Sequence, residues 1–143
     1  MTEEAYTLRT IGYVRASEES VRIELMPKYR KALRGLEGFS HVIVIWWCHL
    51  FDSEQMRAAV DAGKPYTNGP DDMGIFATRS PVRPNPIAFT PALVTKLDVK
   101  AGIIETPFID AEDDSPVLDL KPYSPCLDRV RDAVVPECLA HQL

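Results

Sequence analysis

Prolines do more than any other residue type to limit the folds open to this chain. Twelve are scattered along its 143 residues, against seven glycines. Each removes a backbone donor and fixes φ, which bars it from helix interiors and central strand positions. Long helices are disfavoured throughout, and the chain is cut into short pieces. The restriction is tightest in GIFATRSPVRPNPIAF, residues 74–89, where Pro81, Pro84 and Pro86 crowd together. Ser80, Arg83 and Asn85 each precede a proline, which pushes them toward extended or polyproline II backbone. This stretch is expected to be a stiff, largely extended loop whose polar groups cost less entropy to hold in place. Loops of that kind commonly bind ligands; a plain structural turn is the competing reading.

Most of the pieces between the prolines read as strands. YTLRTIGYVR and SVRIEL carry alternating or β-branched apolar positions and suggest an antiparallel pair joined around ASEE. In SHVIVIWWCHLF, one strand would turn Val42, Val44, Trp46 and Cys48 to one face and Ile43, Ile45 and Trp47 to the other. Both faces are apolar, so both need cover. FTPALVTKLDV, GIIETPFIDA and SPVLDLKPY add three further strands. Two short helices are expected: PKYRKALRGL, opening on Pro27, and SEQMRAAVDAG, with Ser53 as N-cap and Gly63 just past the end. The chain is therefore expected to be a mostly β, small single-domain β-barrel or compact sheet over residues 1–143, with one or two short helices.

Composition removes several functions. A formal charge of -5 argues against holding nucleic acid through bulk electrostatics, so any RNA contact needs a local basic patch. MPKYRKALRG, with Lys28, Arg30, Lys31 and Arg34, is the candidate, and a solvated helix face is its plain alternative. No apolar run reaches the length of a membrane span, and the start MTEEAYTLRT lacks the marks of a secretory signal, so a cytoplasmic protein is expected. Cys48, Cys126 and Cys138 show neither paired spacing nor a C-x-x-C, which gives no disulfide framework and no metal site. The two common phosphate-cradling glycine loops are missing, which weighs against a doubly wound nucleotide fold. His41 and His49 share strand parity, but eight residues of continuous strand would separate them by roughly 26 Å, too far for one ion. His49, at the end of the run, is the better functional candidate. Cys126 could act as a nucleophile, but no histidine lies near it in sequence.

Two proline-stiffened polar segments remain, ATRSPVRPNP and VLDLKPYSPCLD. Arg79 and Arg83 can grip a carboxylate, Asn85 can offer a donor and an acceptor to an adenine edge, and Asp119 or Asp128 can accept from ribose or amine groups. That set suits a ligand with an adenine, a ribose and an amino-acid end. An arginine–carboxylate network that ties loops together is the alternative. On the ligand reading, Arg83 and Asn85 serve binding more than folding, because the following prolines already fix their backbones.

FATRSPVRPNPI closely resembles the F-A-T-R-S-P-x-R-P-N-P-I signature of the TrmO-like family, also called TsaA-like. IGYVR and LEGFSHVIVIWWCH before it and DSPVLDLKPYSP after it keep the family's order. The resemblance covers about residues 10 to 128. It implies a small β-barrel methyltransferase that uses S-adenosylmethionine without a metal, forms a homodimer and methylates N6 of threonylcarbamoyl-adenosine beside the anticodon of transfer RNA. It implies a cofactor site that includes Ala77, Thr78, Arg79, Ser80, Arg83, Asn85 and Ile87. His49 and the LDLKPY segment, with Leu118, Asp119 and Tyr123, are expected near the same pocket. Asp119, Asp128 and His49 are the candidates to take the acceptor's proton. The chain departs from the family at Ala88, where a glycine is common, and at Cys126, where an aromatic is common. It also resembles a short form without the additional C-terminal domain of longer members. A small-molecule acceptor, or binding of S-adenosylmethionine without catalysis, are the other functions considered. A homodimer is expected also from the two-sided apolar strand, with Trp46 or Trp47 at its interface.

Overall fold

Alternation of apolar and polar residues builds most of the structure. A computed structural model of the chain describes residues 1–139. Its strands are β1 (Gly12–Ala16), β2 (Val21–Leu25), β3 (His41–Trp47), β4 (Asp61–Gly63), β5 (Met73–Gly74), β6 (Ile87–Leu93), β7 (Lys96–Asp98), β8 (Ile103–Thr106) and β9 (Pro116–Pro122). Only two four-residue α-helices accompany them, α1 (Glu54–Arg57) and α2 (Pro125–Asp128), with several 3-10 turns. The mostly β expectation therefore holds. The chain forms two compact units: one comprises Met1–Cys48 and Phe89–Tyr123, the other His49–Ala88 and the segment from Ser124 on.

The first unit is built on a seven-stranded sheet of order β6-β3-β9-β1-β2-β8-β7. β1–β2, β1–β9, β2–β8, β3–β9 and β7–β8 all pair antiparallel. The order runs between two end strands, β6 and β7, and by itself gives a sheet rather than a closed barrel. Every second residue of β2, β3 and β8 is buried, β1 buries Gly12 and Val14, and β9 buries Val117 alone. Val14, Ile23, Val42, Val44, Ile104 and Val117 are fully enclosed, joined by Val21, Leu25, Leu33, Trp46, Ala92 and Ile109. Each such side chain removed from water contributes roughly 1.5–3 kcal/mol.

β3 follows the expected parity, but its two faces differ: Val42, Val44 and Trp46 are buried, whereas Ile43, Ile45 and Trp47 are half-covered. Trp46 belongs to the core of the chain itself, 5% exposed, and is not available to an interface; Trp47 lies on the other face. Gly12 opens β1 opposite Leu25, where a Cβ would stand 2.3 Å from the Glu24 carbonyl oxygen. Only glycine lets these backbones approach so closely.

Several boundaries differ from the sequence reading. Residues 6–11 are not strand. FTPALVTKLDV is not one strand but β6 and β7. The Val94 amide donates to the carbonyl of Ser40, just before β3, at 2.8 Å and the next amide, Thr95, to that of Glu105 in β8 at 2.9 Å, so consecutive residues bond to different segments. PKYRKAL opens on its proline as expected but winds as a 3-10 helix, Pro27–Leu33, with Leu33 alone buried. Without an apolar stripe the α-helix has nothing to pack. Ser53 does cap α1, accepting from the Met56 amide at 3.2 Å. That helix stops at Arg57, buries no residue, and gives way to β4, so Gly63 ends a strand rather than a helix.

The second unit pairs β4 with β5 and has a small interior of Met73, Ile75, Thr78 and Pro86. No helix among the described residues is long and apolar enough to cross a membrane.

Candidate functional site

The proline-rich loop in the second unit is fixed by its own polar groups. It starts as a 3-10 turn, Ile75–Ala77, whose carbonyl at Ile75 receives both the Thr78 amide at 3.0 Å and the Thr78 hydroxyl at 2.8 Å. Thr78 is buried, and its Oγ1 in turn accepts from the Ser80 amide at 3.3 Å, while Ser80 Oγ accepts from Val82 at 3.2 Å. Hydroxyls thus satisfy amides that no strand partner could reach. Arg83 Nη1 donates to the carbonyls of Thr78 and Ser80, each at 3.0 Å, clasping the loop across five residues. Pro86 is fully buried and anchors the far end, where the Ile87 amide donates to the Asn85 carbonyl at 2.7 Å.

A residue that the sequence reading missed holds the outer side. Arg57, the last residue of α1, donates through Nε to the Pro84 carbonyl at 2.7 Å and through Nη2 to Asn85 Oδ1 at 3.0 Å. Nothing in its local sequence marks it, because its partners lie more than twenty-five positions away. The contact fixes the Asn85 amide: the oxygen faces a guanidinium, so Nδ2 is the donor left on the exposed side. Arg83 is therefore a brace through Nη1, a role assigned to the backbone prolines alone from sequence. Ala77, Arg79 and Ile87 are exposed and Ser80 is half-buried. Phe76, also absent from the sequence-derived set, stands 81% exposed beside them.

The candidate bases have different surroundings. His49, half-buried in the 3-10 turn His49–Phe51 of the second unit, has a buried Nδ1 with no hydrogen-bond partner. A buried polar atom without a partner is costly and commonly marks a place for one. Asp128, exposed in α2, accepts the Ser124 amide at 2.8 Å and closes its own turn. Asp119, on β9 in the first unit, accepts the Leu120 amide at 2.9 Å with Oδ1 and pairs with Lys121 Nζ at 3.0 Å with Oδ2. Leu118 is half-buried on the same strand, and Tyr123 meets the His41 ring edge-on at 6.2 Å. The predicted site residues thus divide: Leu118, Asp119 and Tyr123 belong to the first unit, and His49, Asp128 and the loop to the second. No group of three or more His, Cys, Asp or Glu among the described residues is placed to hold a metal ion.

A separate cavity of about 440 Å³ lies within the first unit, lined by Leu25, Tyr29, Leu33, Phe39, Asp119 and Leu120 among others.

Known proteins share both the sequence and the architecture. The family described as tRNA-methyltransferase O N-terminal domain matches residues 12–129. A "Probable S-adenosyl-L-methionine-binding protein" of Methanothermobacter thermautotrophicus is 40% identical over 114 residues, covering 80% of this chain and 77% of the relative. A relative of the same description from Archaeoglobus fulgidus is 37% identical over 121 residues, covering 85% of this chain and 31% of its own length. The crystal structure of TrmO from Pseudomonas aeruginosa superposes with a TM-score of 0.72 at 29% identity, over 95% of this chain and 62% of that one. The chain thus spans less than a third of the Archaeoglobus relative and less than two thirds of the Pseudomonas protein.

Proposed function

We propose that this chain, which belongs to the tRNA-methyltransferase O N-terminal domain family, is an S-adenosylmethionine-dependent methyltransferase whose cofactor loop is residues 77–87. The acceptor in this reading is N6 of threonylcarbamoyl-adenosine beside the anticodon of transfer RNA. The observation that carries it is the braced loop: FATRSPVRPNPI, held by Arg83 and Arg57, leaves Asn85 Nδ2 and the exposed side chains of Ala77 and Ile87 for a ligand. The names of the relatives and of the Pseudomonas structure support the same cofactor and reaction class.

The residues fit the cofactor. An amide donor at Asn85 and guanidinium charge at Arg79 match a ligand with an adenine edge and a carboxylate. When bound, S-adenosylmethionine supplies an electrophilic methyl group on a sulfonium, and no metal is needed for that displacement. The chain's own contribution is to orient the reactants and to take a proton from a poor, urea-like nitrogen nucleophile. Of the three candidates, His49 is preferred for that proton, at Nδ1. Both Asp119 oxygens and the Asp128 carboxylate already serve backbone amides or a lysine. Thr78 and Ser80 hold the loop.

The same reading takes the protein as one cytoplasmic domain with a barrel-like sheet, acting as a homodimer. Both units are discontinuous in sequence, which supports one domain, and the half-covered outer face of β3 with Trp47 supports a dimer. A second function, S-adenosylmethionine binding without catalysis, is favoured by the wording of the relatives' names, which describe binding alone. Incubation with methyl-labelled S-adenosylmethionine and unfractionated transfer RNA separates them. Label in the RNA, released as methylated threonylcarbamoyl-adenosine on digestion, is the expected result. Cofactor binding without label in RNA or metabolites would leave the binder.

A further inference from the structure

The cofactor loop does not account for the basic segment at residues 28–34 or for the first unit's cavity, and the two meet. Tyr29 and Arg34, on the 3-10 helix Pro27–Leu33 and its C-cap, line the cavity together with Phe39, Asp119 and an apolar floor of Ile11, Leu25 and Leu120. We infer that this cavity and its basic rim are a single-stranded RNA site, in which one unstacked base enters the cavity and neighbouring phosphates lie on the rim. The inference rests on the proposed action on RNA and assigns the place where the strand is held.

Three observations converge on it. The first is charge. Arg15, Arg22, Lys64 and Lys121 form ion pairs with carboxylates, whereas Lys28, Lys31 and Arg34 form none among the described residues. In a chain of net charge -5, a clustered set of unpaired cations is the local basic patch that RNA binding requires. The second is chemistry. Tyr29 and Phe39 line the cavity and give aromatic surface on which a base can stack, while Lys28 Nζ lies over the Tyr29 ring at 5.1 Å from its centre and is not itself a lining residue. Asp119, whose oxygens already receive the Leu120 amide and Lys121 Nζ, keeps a second lone pair on each oxygen that can accept from the exocyclic amine of a base. The third is size. About 440 Å³ lies in the roughly 300–1,000 Å³ range of small-ligand pockets and admits a nucleoside. The base would supply the reading and the rim the affinity.

The test uses the full chain, a fluorescein-labelled single-stranded oligoribonucleotide of mixed sequence, and anisotropy across a salt series. Lys28→Glu/Lys31→Glu is expected to weaken binding at least tenfold and to flatten the log–log salt slope by about one to two, since each single-strand phosphate contact contributes about 0.7. Tyr29→Ala is expected to weaken binding about fivefold or more with the slope unchanged, because stacking releases no counterions. Lys96→Glu, a single charge reversal at the start of edge strand β7, is expected to leave both near wild type. Equal losses for Lys96→Glu, or none for the rim variants, would overturn the site. So would a change in sedimentation of Tyr29→Ala without a change in RNA affinity, which would make the cavity a contact between copies. Titration of the wild-type chain with S-adenosylmethionine keeps the two readings apart: cofactor binding by a wild-type chain that binds no RNA removes this site alone, whereas absence of cofactor binding removes the proposed function.

Discussion

Arg83→Ala should cost stability before it costs ligand affinity. Its Nη1 serves two carbonyls, Thr78 and Ser80, at 3.0 Å each, and the side chain is partly buried. A hydrogen bond from a charged donor contributes about 1.5–3 kcal/mol, and partial exposure lets water replace some of that, so about 1–3 kcal/mol for the pair is expected. For a chain of this length each kcal/mol lowers the melting temperature by roughly 2–4 °C. Arg83→Lys should recover only part of the loss, since an ammonium lacks the planar fork that spans both carbonyls. Thermal unfolding by circular dichroism measures the cost, and amide exchange at residues 78–87 locates it. An unchanged melting temperature with unchanged exchange would refute the brace and return Arg83 to the ligand.

Other residues give independent tests. Gly12→Ala places a methyl group 2.3 Å from the Glu24 carbonyl, so the β1–β2 pair must separate; chemical denaturation should show a loss of at least about 2 kcal/mol. The Glu24 carboxyl is held below its usual range, first by its hydrogen bond from Arg22 and then by Arg15, against the opposing effect of burial. Its contribution is thus present above pH about 4.5 and is lost as pH falls through the lower folded value. Glu24→Gln should flatten the pH dependence of stability below pH 5, and an unchanged acid limb would contradict the pairing. Sedimentation should find a dimer at micromolar concentration that Trp47→Ala weakens; a monomeric wild-type protein would remove that part of the proposal.

Strand identity was legible because apolar alternation is local: β2, β3, β8 and β9 fall within segments read as strands, β1 does so except for Ala16, and Ser53 and Pro27 act at helix starts as read. What local pattern could not reveal was set by distant partners. β6 parts from β7 because Val94 bonds to Ser40, just before β3, and Thr95 to Glu105 in β8, and α1 ends early because it has no buried face. At the loop, the prolines announced rigidity, but the pairing of Arg57 with Asn85 joins residues twenty-eight positions apart and leaves no local trace. The orphaned Nδ1 of His49 is likewise a property of packing, although the residue itself was already a candidate.

The central claim, that residues 77–87 bind S-adenosylmethionine, is tested most directly by calorimetric titration of the wild-type chain and of Asn85→Asp. That substitution keeps a carboxylate oxygen for Arg57 and so preserves the brace, while it removes the Nδ2 donor assigned to the ligand. The account predicts saturable heat with the wild type. For the variant it predicts an unchanged melting temperature and an affinity lower by about five- to a hundredfold, as loss of one hydrogen bond of about 1–3 kcal/mol requires. No heat with the wild type, or equal affinity for the two proteins, would contradict it.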